Sequence, residues 1–403
     1  MLIILKILLI FVLIVILLWR KWTLGPVMLL ASLFLGLLFR VSLPEMGRSA
    51  LSSALDFYTT IYLIIVLYLI AILENLLRTG GLLTRMVGAL KVLFRDHRLV
   101  ASFMPAFIGF LPSAGGAMFS APLVKEATSH MDLSPGRKTF INYWFRHVWE
   151  AVFPLYPGLL LAAILAEHSL ADLIYKQWPY AAAAILIGWL TGWRGIKKDV
   201  WDQVADYKRA WRDIMITMSP VLFVIISVLA FKFDLALMTA LAALGLLIGL
   251  RYDYKRIPKL LWESFKPMTL LLIVGVMVFK GMLETSGAIA ALPGILLSGG
   301  VPSVVIISVL PFMVGLLTGI TQGFVAVAFP LLLGIFGRPA GSLNWYVLAF
   351  VSGLGGVLLS PSHLCLALTK DYFKAEWRQV YGYLLPATGG IVLLGFLLYY
   401  LWR

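Results

Sequence analysis

Apolar runs close to the roughly 20 residues needed to cross a hydrocarbon core recur along almost the whole chain, and this limits the folds open to it. In lipid, every backbone amide and carbonyl must find its partner inside the protein, so long runs of this kind become helices. Of 403 residues, 61% are hydrophobic and only 13% are Asp, Glu, Lys or Arg. That is too little charge to cover a soluble domain of this length. An all-α polytopic membrane protein is therefore predicted, multi-pass in the cell (inner, cytoplasmic) membrane, with no sizeable soluble domain. The net charge of +14 matches the Lys/Arg excess of cytoplasmic loops, and no nucleic-acid partner is expected. The single cysteine, Cys365, excludes an intramolecular disulfide and any multi-cysteine metal site. Within apolar sequence it reads as a small packed residue. The N-terminus lacks the basic region and cleavage site of a removable signal, so the first helix is expected to stay in the protein.

Helices are expected at 2–19 and 24–40, followed by an amphipathic or loop stretch to residue 56 and a span at 58–78. A weaker helix at 82–96, a broken segment at 99–126, one long helix at 138–166 and a span at 179–193 come next. The stretch 194–214 is markedly polar, with Arg194, Lys197, Lys198, Lys208, Arg209 and Arg212 against Asp199, Asp202, Asp206 and Asp213. It reads as a cytoplasmic connector, and two spans, 217–231 and 234–250, separate it from the basic loop Arg251 to Lys259. The chain continues with 267–283, a short helix at 286–298, a broken segment at 302–336, a Gly-rich span at 345–369 and a final helix at 384–402. About 10–12 membrane-inserted elements result. They group as N-terminal scaffold helices (1–57), a first repeat (58–193), the connector (194–216) and a second repeat (217–403).

The repeat is read from letters at an offset of about 206. Pro105 and Gly109 fall on Pro311 and Gly315, and Leu77 to Gly81 fall on Leu283 to Gly287. After a two-residue insertion Pro122 meets Pro330, and Pro154 meets Pro361 at a similar offset. Paired halves with Gly/Pro-broken segments point to a secondary transporter whose site lies at the breaks. Unwound backbone is tolerated at membrane depth only inside protein or beside a wet cavity. There, helix N-termini face anions and terminal carbonyls hold cations. The first break, 112–116, offers Ser113, Gly115 and Gly116. The second, 318–323, offers Thr318, Thr321 and Gln322. Close helix packing by small residues is the alternative reading of both.

Polar residues in apolar helices add candidates. Asn142, Arg146, His147 and Glu150 are spaced along one helical face, which should turn toward the bundle interior. Arg146 and Glu150 form a structural ion pair on one reading. On the other, Arg146 meets a substrate carboxylate while Glu150 or His147 carries a coupling proton. Ser360, Pro361, Ser362 and His363 mark a further helix break, with His363 a ligand donor, a proton carrier or a structural histidine. Glu74, Asn75 and Glu284 read equally well as interfacial.

The stretches FIGFLPSAGGAMFSAPLV (107–124), PFMVGLLTGITQGFVAVAFPLLL (311–333) and LLSPSHLCLALT (358–369) resemble an uncharacterised family of prokaryotic integral membrane proteins. That family is grouped with the ion-transporter superfamily of gluconate, citrate, dicarboxylate and sodium/proton carriers. The resemblance implies two inverted repeats, each with a re-entrant hairpin and a discontinuous helix, in an elevator-type homodimer. It places hairpin tips at 112–116 and 318–323 and a helix break at 360–363. Dicarboxylate carriers of this kind use Ser-Asn-Thr at their tips. This chain has Pro112-Ser113-Ala114-Gly115 instead, which departs from both the sodium site and the dicarboxylate choice.

The expected function is secondary active transport of a small organic anion, a carboxylate or sugar acid, coupled to Na⁺ or H⁺. Substrate contacts are assigned to Ser113, Gly115, Gly116, Asn142, Arg146, Thr318, Thr321, Gln322, Ser362 and His363. Ion coupling is assigned to Glu150, His147, Ser113 and Thr318. No catalytic residue, metal site or cofactor beyond Na⁺ as a coupling ion is expected. The alternatives are a sodium/proton exchanger without organic substrate and an intramembrane enzyme. The enzyme has no HExxH or GxSxG to support it, and no P-loop marks an ATPase.

Overall fold

The computed structural model describes residues 2–110, 116–200, 206–288, 301–336 and 343–402. Within them the fold is nearly all helical, with a single isolated bridge, Asp96 to Val200. The first ten helices are α1 (Leu2–Trp19), α2 (Leu24–Leu38), α3 (Leu43–Leu55), α4 (Tyr62–Thr79), α5 (Leu82–Leu93), α6 (His97–Gly109), α7 (Ala117–Ala127), α8 (Pro135–His147), α9 (Pro157–Ala166) and α10 (Leu170–Trp193). A π-turn at Phe57–Ile61 leads into α4. Beyond the connector lie α11 (Tyr207–Leu229), α12 (Leu235–Gly249), α13 (Ile257–Ser264) and α14 (Pro267–Thr285). The last five are α15 (Ser303–Thr318), α16 (Thr321–Phe336), α17 (Leu343–Leu359), α18 (Leu364–Phe373) and α19 (Trp377–Leu401).

Five stretches among the described residues are long and apolar enough to cross a membrane: Leu43–Thr79, Tyr207–Leu229, Pro267–Thr285, Leu343–Phe373 and Trp377–Leu401. These are the helices of a membrane protein. Shorter apolar helices, such as α9, α15 and α16, lie between them. Several starts are written in the sequence. Ser42 accepts from the Glu45 amide and Ser134 from the Arg137 amide, each with proline in the first turn. Asp206 and Asp234 cap α11 and α12 in the same way.

The long helix expected at 138–166 does not form. It is two helices, α8 and α9, separated by a turn through 148–156. Pro154 has no amide to continue a helix and Pro157 sits in the first turn of a new one. Arg146 and Glu150 are therefore not neighbours on one helical face: Arg146 lies in the last turn of α8 and Glu150 in the turn beyond it, its amide bonded to the His147 carbonyl. The Gly-rich span 345–369 is likewise two helices, with 360–363 between them. The expected helix at 286–298 falls largely outside the described residues.

Small residues let backbones touch where the N-terminal helices meet α14. α2 and α3 pack on α14, and α12 and α13 pack on α4. A Cβ on Gly25 would lie 2.7 Å from the Leu271 carbonyl carbon, and one on Gly275 would lie 2.5 Å from the Gly25 oxygen. Gly275→Leu should therefore force α2 and α14 apart, lowering stability by about 1–3 kcal/mol. Thermal unfolding in detergent reads this as a lower midpoint. Gly245→Leu, on an exposed face with nothing within 4 Å, should leave the midpoint unchanged.

Candidate functional site

Three chain breaks converge on one cavity. The first is the turn 148–156 between α8 and α9, the second is Gly319–Ile320 between α15 and α16, and the third is 360–363 between α17 and α18. Gly319 ends α15 in the left-handed conformation, φ +65°. A Cβ there would also lie 2.7 Å from the His363 amide nitrogen, so a side chain is excluded both by strain and by space. The cavity is about 640 Å³, the size of small-molecule sites. Its opposite wall comes from α1, α2, α4 and α14, including Leu18, Leu67, Ile70 and Leu272, and the Glu74–Lys266 ion pair (3.3 Å) lies on its lining.

The polar side of the wall is built from side chains whose positions are fixed by backbone contacts. Glu150 accepts a hydrogen bond from the Thr321 hydroxyl at 3.1 Å, joining the first break to the second. His147 and His363 meet Nε2 to Nε2 at 3.1 Å, joining the first to the third. The Tyr143 carbonyl accepts from His147 Nδ1 at 2.5 Å, so that ring presents Nε2 to His363. Ser360 donates to the Leu316 carbonyl at 2.7 Å and contacts the Ser362 hydroxyl at 2.8 Å, locking the third break onto α15. Tyr156 donates to the Gly109 carbonyl at 2.7 Å, tying the first break to the end of α6. Arg146, His147, Glu150, Thr321 and His363 are all buried. A carboxylate, a guanidinium and two imidazoles held in one low-dielectric cavity can bind an anion and exchange protons.

Of the residues singled out from sequence, Arg146, His147, Glu150, Thr318, Thr321, Gln322, Ser362 and His363 line this cavity. Asn142 does not. Its amide donates to the Ala117 carbonyl at 3.2 Å and the Thr369 hydroxyl at 3.1 Å, fastening α8 to α7 and α18. Gly116 is buried at the start of α7 and is not on the cavity wall. Ser113 and Gly115 lie outside the described residues. The sequence reading missed Tyr156 and Cys365, which also line the cavity. Tyr156 carries no marker beyond its place beside two prolines. Cys365 is the second residue of α18, directly after the non-helical 360–363. Its sulfur and the rings of His147 and His363 bring ligand atoms within 4.8 Å of one another, an N₂S set that can take a zinc-like ion. Asn75, read as interfacial, is buried and bonds Ser264 at 3.3 Å.

The family described as "Protein of unknown function (DUF401)" matches residues 3–401. The chain belongs to that family. No curated protein matches it. Membership covers both halves, the connector and every break that lines the cavity.

Proposed function

We propose that this DUF401 protein is a secondary active transporter of a small organic anion, a carboxylate or sugar acid, coupled to H⁺ or Na⁺. The observation that carries the reading is the meeting of Arg146, Glu150, Thr321, His147 and His363 at three chain breaks around one cavity. Broken helices around a buried polar site are how alternating-access carriers bind their cargo. Arg146 supplies the charge and planar fork for a carboxylate. Glu150, His147 and His363 are groups that can hold the coupling proton.

Helix starts recur in register, which supports an internal duplication and with it this reading. They differ by 205 residues (62 to 267), 206 (97 to 303), 207 (157 to 364) and 207 (170 to 377). Left-handed residues recur as well: Lys21 with Lys232, Arg40 with Arg251, Gly81 with Gly287, and Glu167 with Lys374. Non-glycine residues rarely adopt this conformation, so three such pairs at matched helix ends are a strong mark of common structure. Packing is reciprocal: α2 and α3 sit on α14 as α12 and α13 sit on α4, and α9 meets α16 as α18 meets α7. Exchange of partners in this way is what a two-fold axis produces. On this pattern the copies are 2–193 and 207–401, so the N-terminal helices belong to the first copy and α11 to α13 to the second. Inversion of the copies in the membrane, elevator motion, a homodimer and placement among the gluconate, citrate and dicarboxylate carriers complete the proposal. The basic connectors would lie on the cytoplasmic side of the cell membrane.

A specific observation keeps cation exchange as the second reading: the buried Glu150 carboxylate, held by a hydroxyl at 3.1 Å, is the kind of group that swaps an ion for a proton. Transient currents from proteoliposomes on a solid support separate the two. Jumps of gluconate, lactate, citrate or succinate should give a saturable signal that requires a proton or sodium gradient. Silence to every acid, with a response to Na⁺ or pH jumps alone, would replace the anion carrier by the exchanger.

A further inference from the structure

We propose that His97, His130 and Asp199 form a binding site for a divalent transition ion of the zinc type, which ties both arms of the α6–α7 hairpin to the connector. Each residue offers one ligand atom, and these atoms lie within 4.8 Å of one another. His130 Nε2 is 2.5 Å from Asp199 Oδ2, and the His97 and His130 rings are 4.0 Å apart at 67°. Imidazole and carboxylate are the ligands zinc and cobalt prefer, with donor atoms roughly 3.3 Å apart in a tetrahedral site. Small rotations of His130, an exposed side chain, bring the trio to that spacing. A fourth position stays with water.

The surroundings hold two of the three ligands in place. The Ala127 carbonyl is 3.0 Å from His97 Nδ1. A carbonyl can only accept, so Nδ1 carries the proton and the ring's lone pair is on Nε2. This carbonyl–histidine arrangement is the usual second contact of a metal-binding imidazole. Asp199 is pinned from its backbone: its carbonyl accepts from the His97 amide at 3.0 Å, the next residue bridges Asp96, and Arg98 donates to Ile196 at 3.1 Å. Arg98 is turned onto Asp96 at 2.8 Å and so is engaged away from the ligands.

Position gives the site its meaning. His97 opens α6, and His130 lies three residues past the end of α7. The two helices pack against each other, α6 running to Gly109 and α7 starting at Ala117. A bound ion would clamp the open end of that pair to 196–200, the segment joining the two copies. The second copy lacks the histidines, because Ser303 stands 206 residues after His97 and, past the two-residue insertion, Arg338 stands 208 after His130. The clamp is therefore specific to one hairpin and independent of the transport reading.

The test uses the full chain in detergent, stripped with EDTA and titrated with Co²⁺ while the visible d–d bands are recorded. One equivalent should bind, with intense bands of low coordination number that Zn²⁺ abolishes. His130→Ala and Asp199→Asn, both outside the core, should each weaken binding at least 10-fold. Cys365→Ser should leave these bands intact. Bands that vanish in Cys365→Ser with a lost near-ultraviolet thiolate transition, and survive in His130→Ala, would move the metal to His147–His363–Cys365 and overturn the proposal. Absence of binding at millimolar Co²⁺, or affinity unchanged in both His130→Ala and Asp199→Asn, would overturn it too.

Discussion

Arg146→Lys should reduce organic-anion uptake at sub-saturating substrate by about 10- to 100-fold while the protein still purifies as a folded, monodisperse species. Arg146 is buried at the end of α8, in the cavity that also holds Glu150. Lysine keeps the positive charge, so the electrostatic balance with the carboxylate survives. What lysine loses is the planar fork that grips a carboxylate with two parallel bonds. Removing one charge-assisted hydrogen bond costs about 1.5–3 kcal/mol, which gives the stated range in affinity. Arg146→Ala asks a different question. It removes a buried cation and leaves the groups around it without their partner, a change that costs about 3–5 kcal/mol in buried pairs, and so it should report mainly on folding. The measurement is radiolabelled substrate uptake into proteoliposomes, alongside the melting midpoint of each variant. Wild-type uptake by Arg146→Lys would remove Arg146 as the carboxylate anchor.

The sequence carried the helical membrane class because apolar runs at bilayer length admit few other structures. A lone proline did not by itself mark a break: Pro361 stands in one, but Pro105, Pro179, Pro220, Pro311 and Pro386 lie inside continuous helices. Between Pro154 and Pro157 the polar face of Asn142 to Glu150 argued for a continuous helix, and spacing outweighed the two prolines. That choice hid the separation of Glu150 from the face of α8. It also hid what holds Glu150: Thr321, which is 171 residues away in the chain and 3.1 Å away in space. The His147–His363 contact is equally non-local. Each residue was recognisable as a polar group at membrane depth, but their pairing depends on how two distant parts of the chain pack. Asn142 failed for the opposite reason. Its spacing put it with Arg146, yet a turn earlier on α8 it faces α7 and α18 and spends its amide on them. The N-terminal helices read as a separate scaffold because the repeat legible in letters, at an offset of about 206, begins only at Leu77. The left-handed residues that close α1, α2, α11 and α12, Lys21 and Lys232, Arg40 and Arg251, are matched in backbone angle, which sequence does not display.

Glu150→Gln should abolish accumulation driven by a proton gradient while leaving substrate exchange across the membrane intact. Glutamine is nearly isosteric, and its carbonyl oxygen can still accept from the Thr321 hydroxyl, so the bond between the first and second breaks persists. What disappears is a group that changes charge as it moves between the two sides. A gradient of one pH unit stores about 1.4 kcal/mol per proton. A monoanion carried with one proton can therefore be concentrated about tenfold in the wild type. With glutamine the same gradient should give a ratio near one. Counterflow of labelled against unlabelled substrate needs binding and reorientation but no net proton movement, so it should continue at a rate within about threefold of the wild type. The pair of measurements separates coupling from binding, because loss of both would mean a damaged site and loss of neither would assign coupling elsewhere. His147 and His363 are next in line, since they share the cavity and touch each other through their ring nitrogens. If instead a sodium gradient drives accumulation equally in both proteins and a pH gradient drives it in neither, the coupling ion is sodium. The carboxylate would then serve to hold Thr321, and through it the start of α16, against the turn at 148–156.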